Sequence, residues 1–579
     1  MTRGRRAAIA VGILAAALIA GRVAAVLYGQ YTWFKSLDAS AVWIERIRDV
    51  TLLRLGLGTF AAVFAFLNLD AIRRSIVSLA LPRRIGNVEI GEVVPGRYLF
   101  RAVGALAVIV GLLLAFGAPN WTLLNRARIG LAFGEADPYY GIDLGFYVGW
   151  LPLERALYLW AVALVFMVSA LVVGLYSLTP GLRWYRGRLH VSVYARRHIT
   201  VLGTIALLLL AWSYRLDAYA LLSRGSGPGG AFSYVDHRWL APTYLFLAIG
   251  TTAAAVMIMI AGWSGQLRTG FLTVTSVLVV SFSGLKVLPF LLRQASPAAL
   301  QRVRNAPYIE TREAFTRRAY GIDGRILPPG EIPPPGTATD SATADAIAAR
   351  YDGALVFPGA TGAIIVADSQ NVIAAPGLPS GIGRLAHAWS QQDMSLLSGD
   401  LPRNAKLLGT RDVRARIGAL APIFAQGSYA APLFRGDTLY WSIELYSASL
   451  TYPLSAHYRI AGAERSYFRH AATAVVHAGT GRVTLFAADT LDPVAKAWIA
   501  RYPSLVVSGA RSWKRELSGL PPGDRDEIGG PQMPSTDSTF RARTTALYNR
   551  MRAALAAGDL AAFGAAFDTL GMVVSQPRK

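Results

Sequence analysis

Cysteine is absent from all 579 residues. That removes disulfide frameworks, Cys-ligated zinc or iron–sulfur centres and thiol nucleophiles. Charge is scarce too: Asp, Glu, Lys and Arg make up 16% of the chain, against roughly 25% in soluble proteins. Acid is scarcer than base, 35 residues against 58, for a net charge of +23. No G-x-S-x-G, H-E-x-x-H or G-x-x-x-x-G-K-[ST] signature occurs, so the common hydrolase, zinc-protease and P-loop chemistries have no motif to stand on. What is abundant is apolar, 53% of residues with a mean hydropathy of +0.37. Such an excess excludes a disordered chain and an ordinary cytosolic enzyme.

A membrane-spanning helix needs about 20 mostly apolar residues, because ~30 Å of hydrocarbon is crossed at ~1.5 Å per residue. Seven such runs precede residue 293: Ala7–Leu27, Leu52–Leu69, Ala102–Trp121, Leu157–Leu178, Ile199–Tyr214, Trp239–Gly262 and Phe271–Leu292. The fifth is short and borrows a turn from Val191–Arg197. Trp33, Trp43, Trp121, Trp150, Trp184, Trp212, Trp239 and Trp263 mark run edges and fit interfacial belts. Arg3, Arg5 and Arg6 before the first run could introduce a signal peptide, but the run exceeds an h-region of about 7–15 residues. It reads as an uncleaved anchor, with Arg22 near its end able to snorkel.

The charges give an orientation. With the N-terminus inside, the inner segments 1–6, 70–101, 179–198 and 262–270 hold 15 Lys or Arg and three acids, while the outer segments 28–50, 117–155 and 214–238 hold nine of each. The positive-inside rule then predicts a cytoplasmic N-terminus and, after seven crossings, an extracytoplasmic position for everything beyond residue 292. Arg73–Arg74, Arg83–Arg84 and Arg196–Arg197 suit the anionic headgroups of the lipid bilayer. No basic-aromatic motif accompanies them, so nucleic acid is not an expected partner.

Beyond the spans the composition changes. Pro297–Tyr320 has helical character and ends at Gly321; Leu327–Ser341 is a Pro/Gly-rich linker. Ala363–Ala367 and Tyr440–Ser447 read as strands, and Ala474–Phe486 as a β-hairpin turning at Gly479 and Gly481. Asp492 is placed to cap a helix that has Pro493 at its first position. Pro521–Ser535 is a loop, and Thr539–Ala557 with Leu560–Met572 reads as a helical hairpin broken at Gly558–Asp559. The expected fold is a membrane all-α bundle of about seven transmembrane helices followed by an extracytoplasmic α/β domain and a C-terminal helical hairpin. Its domains divide as 1–292, 293–341, 342–520 and 521–579.

Several segments resemble one family of multi-pass bacterial membrane proteins, the uncharacterised protein family 0182. The most specific is DPYYGIDLGFYVGWLPLERALYLW (Asp137–Trp160). AYALLS (Ala218–Ser223), YIETREAFTRRAYGI (Tyr308–Ile322) and the block Val475–Pro503 with its GTGRVTLF, DPVAKAW and RYP add to it. AALAAGDLAAFGAAFDTL (Ala553–Leu570) resembles the family's C-terminal hairpin. The resemblance implies seven spans and a large extracytoplasmic domain. It also implies a shortened member, with length missing around residues 325–410 and 503–535, and it implies no activity.

Candidate chemistry is sparse. Lys286 lies inside the seventh span, three residues before Pro289. An intramembrane charge marks an ion or substrate pathway, or else a lysine snorkelling to the nearby outer end. Glu135, Asp137 and Asp143 put three carboxylates in one outer loop. They offer oxygen ligands for Ca²⁺ without EF-hand spacing, or, for the two aspartates, a turn and a cap. GSGPGG (Gly225–Gly230) satisfies G-x-G-x-x-G, but between two spans rather than between a strand and a helix, so it reads as a flexible loop. Of seven histidines, only His470 and His477 lie near each other in the outer half. No cofactor is expected. The expected function is a non-enzymatic cell-membrane protein whose outer domain binds an envelope protein, lipid or wall polymer. The alternatives are a transporter or channel subunit built on Lys286, and an envelope hydrolase or transferase using the acidic loop.

Overall fold

A computed structural model describes residues 3–78, 84–85, 88–89, 96–178, 181–185, 188–322, 353–402, 404–435, 438–488 and 490–507. Seven helices in it are long and apolar enough to cross a membrane: Ile9–Lys35, Ser40–Ser75, Gly96–Phe116, Phe146–Ser177, Val193–Ala220, Asp236–Ser264 and Arg268–Gln294. They match the seven apolar runs one for one. The short fifth run is completed at both ends, to Val193–Ala220, with Ser192 accepting from the Ala195 N–H as its cap. The Leu327–Ser341 linker, the Pro521–Ser535 loop and the C-terminal hairpin lie outside the described residues.

The helices are α1 (Arg3–Lys35), α2 (Ser40–Ser78), α3 (Gly96–Phe116), α4 (Trp121–Arg128), α5 (Leu151–Ser177), α6 (Val193–Ala220), α7 (Ala241–Ser264), α8 (Leu267–Phe282), α9 (Leu288–Gln294) and α10 (Ala298–Tyr320). Spans four, six and seven each contain a π-helical turn, at Phe146–Trp150, Asp236–Leu240 and Ser283–Val287. Each turn stands just before a proline, at Pro152, Pro242 or Pro289. Proline has no N–H to return to residue i−4 and its ring crowds that carbonyl. Widening the preceding turn relieves both problems and keeps the helix continuous.

Small residues set the contact between α2 and α3. A Cβ on Gly58 of α2 would stand 2.8 Å from the Ala115 Cβ, and one on Gly111 of α3 would stand 2.7 Å from both the Ala62 Cβ and the Gly58 carbonyl oxygen. Gly58/Ala62 and Gly111/Ala115 are thus paired small-xxx-small stripes, the packing lipid-embedded helices favour because lipid gives no hydrophobic drive for association. Two small antiparallel hairpins occupy the basic connectors: β1 (Arg84–Ile85) with β2 (Val88–Glu89), and β3 (Leu182–Tyr185) with β4 (Arg188–Val191).

The chain beyond α10 builds β5 (Ile364–Ala367), α11 (Ile382–Gln391), β6 (Ala405–Leu408), α12 (Val413–Leu420), β7 (Phe424–Arg435), β8 (Thr438–Ser449), β9 (Tyr458–Ile460), β10 (Ala463–Arg465), β11 (Tyr467–His477), β12 (Val483–Ala487), α13 (Pro493–Arg501) and β13 (Val506–Val507). The main sheet runs β13-β12-β11-β8-β7 and is antiparallel except for the β12–β13 pair. Along β8, Leu439, Trp441, Ile443 and Leu445 are buried and their neighbours half-buried, the period of a strand covered on one face. Asp492 caps α13 by accepting from the Val494 N–H, with Pro493 at the first position, and Gly321 ends α10 in the left-handed conformation. Both were legible in the sequence.

Bundle and sheet share one core. Phe34, Leu144, Tyr147 and Leu216, from the bundle side, belong to the same buried cluster as Phe315, Trp441 and Trp498. Residues Met1–Arg511 form one compact unit. The connectors after spans one, three and five contribute to that core, whereas the two hairpins lie in the connectors after spans two and four.

Candidate functional site

The acidic loop is built from the backbone outward. Asp137, 2% exposed, accepts from the N–H groups of Tyr139 (3.0 Å), Tyr140 (2.6 Å) and Ile142 (3.0 Å) and from the Tyr147 hydroxyl (2.9 Å). Asp143 accepts from the N–H groups of Phe133 (3.1 Å), Gly134 (2.9 Å) and Gly145 (2.7 Å). Glu135 is half-exposed and pairs with Arg318 of α10. The carboxylates predicted as candidate calcium ligands are therefore divided among backbone amides and an arginine. Among the described residues, no group of three or more His, Asp or Glu is placed to hold a metal ion.

The same device recurs in the connector after span five. Asp236, fully buried, accepts from Ser226 N (2.9 Å), Ser233 N (2.9 Å) and both serine hydroxyls. It clasps the GSGPGG loop, and Arg312 of α10 closes it by donating to the Gly229 carbonyl at 2.7 Å. The loop predicted to be flexible is pinned. The glycines are needed where the backbone turns left-handed, at Gly229 (φ 60°) and Gly230 (φ 72°).

Lys286 sits in the π-turn of span seven, exposed on the bundle surface beside exposed Phe282, Val287 and Phe290. No described acid pairs with it. A lysine on the apolar outer face of a helix near its end is the setting for snorkelling. His470 pairs with Glu444, while His477 accepts from Gly479 N (3.1 Å) and Thr480 N (3.2 Å) in the hairpin turn. The two rings have separate duties and no shared ligand.

Sequence reasoning missed the junction between bundle and sheet. Arg416 of α12 is fully buried and donates to the carbonyls of Thr410 (2.6 Å), Ala374 (3.4 Å) and Gly481, with its guanidinium 5.8 Å from the Trp33 ring centroid. Burial pushes it down to about 10, which leaves it charged at neutral pH. Arg126 of α4 donates to the Ile423 carbonyl at 3.0 Å. Glu45 of α2 pairs with Arg501 and accepts from the Tyr502 hydroxyl at 2.5 Å, while Asp49 pairs with Arg128. Arg22, predicted to snorkel, instead donates to the Trp389 carbonyl at the end of α11. Trp33, predicted for an interfacial belt, is buried under Arg416. Partners such as Arg126 with Ile423 and Glu45 with Tyr502, 297 and 457 residues apart, leave no local signal; a tryptophan and an arginine at a span's end were the only hints.

Seven apolar helices joined to a sheet-bearing layer define a multi-pass membrane protein. The family model described as "Uncharacterised protein family (UPF0182)" matches residues 7–342 and 374–513, and the chain belongs to that family. It is 27% identical over 314 residues to a UPF0182 protein of Moorella thermoacetica, covering 53% of this chain and 34% of that one. A UPF0182 protein of a Geobacter species is 27% identical over 330 residues, covering 55% and 36%. One from a Synechococcus species is 24% identical over 678 residues, covering 90% and 74%. The matched stretch spans about a third of the length of the first curated relatives. No solved structure matches the chain.

Proposed function

We propose that this is a non-catalytic binding or scaffolding protein of the cell membrane, with its N-terminus in the cytoplasm and its sheet layer on the extracytoplasmic side. The observation that carries the reading is the sorting of connectors. Those after spans one, three and five carry as many acids as bases, and they pack into the sheet layer's core. Those after spans two and four carry the arginine pairs and the hairpins β1–β2 and β3–β4. Basic connectors favour the cytoplasmic leaflet and its anionic headgroups. Binding rather than catalysis is supported by the way outer-loop acids are used, Asp137, Asp143 and Asp236 holding backbone and Glu45, Asp49 and Glu135 holding arginine. A transport role gains nothing from Lys286, whose surroundings are apolar and outward-facing.

The natural lack of cysteine makes the orientation easy to test. Leu450→Cys and Arg268→Cys, both at exposed positions in the described residues, are labelled with an impermeant maleimide. We expect Leu450→Cys to react in intact cells and Arg268→Cys only after lysis. The reverse pattern would end the proposed orientation.

A further inference from the structure

We infer that the cleft where α1 and α2 meet the sheet layer binds a phosphate group. The cleft has a volume of about 440 Å³, and its polar wall is made by Gln30, Trp33, Arg46, His387, Ser390 and Thr410. The inference rests on the function proposed above and names a ligand class for the sheet-bearing face.

Polar groups in this wall lack protein partners. The Trp33 indole N–H and His387 Nδ1 are both buried without a hydrogen bond, on side chains 9% and 2% exposed. Buried donors and acceptors in native proteins are nearly always satisfied, so two in one cleft call for an occupant. Arg46 is half-buried and has no ion pair or hydrogen bond among the described residues. Its nearest acids in sequence are engaged elsewhere, Glu45 with Arg501 and Asp49 with Arg128.

The sign of the ligand follows from the lining. Among the described residues no carboxylate lines the cleft, and Arg46 is its one formal charge. The indole N–H can only donate, and the Gln30 amide and Thr410 can donate as well, while Ser390 gives its hydroxyl proton to the His387 carbonyl. His387 is held neutral, because burial pushes its pKa down, and offers one ring N–H. Several donors around an arginine, with no acceptor of full charge, suit an anionic oxygen group; the planar guanidinium fork matches phosphate.

Depth puts the cleft within reach of lipid phosphates as well as of water. Val26 in the wall lies one residue before the end of the apolar run Ala7–Leu27, and Arg46 six residues before the run Leu52–Leu69. At ~1.5 Å per residue, Arg46 stands about 9 Å beyond the hydrocarbon edge. Lipid headgroups occupy the first ~5–8 Å beyond that edge, within reach of an arginine side chain. The phosphate could therefore belong to a lipid of the same leaflet or to a soluble phosphoester.

The test uses the full chain purified in dodecyl maltoside, which carries no phosphate. Phosphatidylglycerol, sn-glycerol 3-phosphate and diacylglycerol are titrated separately, with bound mass read by native mass spectrometry and unfolding midpoint by light scattering. We expect one phosphate-bearing molecule to be retained, diacylglycerol to be ignored, and Arg46→Gln and Trp33→Phe each to weaken binding about tenfold. Arg302→Gln, on exposed α10 surface, should bind as the natural chain does. Retention of phosphatidylglycerol alone assigns the phosphate to a lipid, and equal retention of glycerol phosphate assigns it to a soluble ester. Both results support the site. Should Arg46→Gln fail to fold, Trp33→Phe, which keeps an aromatic side chain and removes the N–H together with the five-membered half of the indole, carries the test. Equal binding of diacylglycerol, no binding of either phosphate, or variants that bind unchanged would each overturn the inference. The assay in detergent does not depend on which side of the membrane the sheet occupies, so its failure is separate from failure of the labelling experiment.

Discussion

At the α2–α3 contact, Gly58 and Gly111 bring two backbones together with no side chain between them. At the junction of bundle and sheet a backbone bond, from the Leu454 N–H to the Leu222 carbonyl, is joined by long side chains that reach across, Arg126 to the Ile423 carbonyl and Tyr502 to the Glu45 carboxylate. The difference follows from solvent. Lipid is as apolar as leucine, so helices within it gain from close van der Waals fit. Near water, burying a polar group is tolerable only when it is hydrogen-bonded, and one long cation can satisfy several carbonyls at once. The two junctions should therefore fail in different ways.

The largest effect is expected at Arg416. Arg416→Met keeps much of the stem's volume and removes the donors to Thr410, Ala374 and Gly481. Each carbonyl left unsatisfied costs about 1–3 kcal/mol, so a loss of roughly 3 kcal/mol or more is expected. Hydrogen exchange should locate the damage in α12, the 373–375 segment and the β11–β12 turn, with α2 and α3 still protected. Uniform loss of protection across both regions would mean that the junctions are not separate.

A smaller effect, about 1–3 kcal/mol from overpacking, is expected for Gly111→Val. Here protection should fall in α2 and α3 while the sheet keeps its own. Gly111→Ala should do less, since one methyl meets the Ala62 Cβ and the Gly58 carbonyl oxygen where valine adds two more. Equal losses from the two substitutions would show that backbone freedom, not the close approach, is what Gly111 supplies.

The spans were legible because a run of about 20 apolar residues has few other uses in a chain this size. The caps at Asp492 and Gly321 were legible because they depend on neighbours one to three residues away. The prolines at 152, 242 and 289 were in view, yet their π-turns were not inferred, although the missing N–H predicts some local widening. At Asp137 and Asp143 two readings stood side by side, a cation site and a turn with a cap, and the backbone bonds favour the second. Carboxylates crowded in sequence look like a cation site, but their oxygens point at the amides of their own loop. Trp33 was read only as an interfacial residue and Arg46 only as a loop charge, because their surroundings come from α11, β6 and α12, more than 300 residues away. Periodicity and local turn chemistry give elements; which distant elements share a wall is decided by packing.

The finest contrast lies between two buried acids of the sheet layer. Asp492 accepts from Ser447 Oγ (2.8 Å), the Tyr467 hydroxyl (2.9 Å) and Val494 N (3.1 Å), yet burial outweighs these bonds and lifts its pKa above the ordinary 3.8. Burial acts on Asp368 too, but the N–H groups of Ile373 and Val372 together with Lys406 at 3.0 Å overcome it and hold that carboxyl below 3.8. The folded chain therefore binds more protons than the unfolded chain at Asp492 as pH rises above 3.8, and stability from this group falls through that window. At Asp368 the unfolded chain binds more protons below 3.8, so stability from this group is present above that pH and falls as acid is added. Melting of the purified protein from about pH 3 to 6 should separate the two. Asp492→Asn should flatten the decline on the alkaline side of 3.8, and Asp368→Asn the decline on the acid side. The Asp368 change should be the more damaging at pH 6, because Lys406 is left buried without its counter-ion. If the two variants alter the same limb of the profile, the opposite balance of burial and hydrogen bonding at these two carboxyls is wrong.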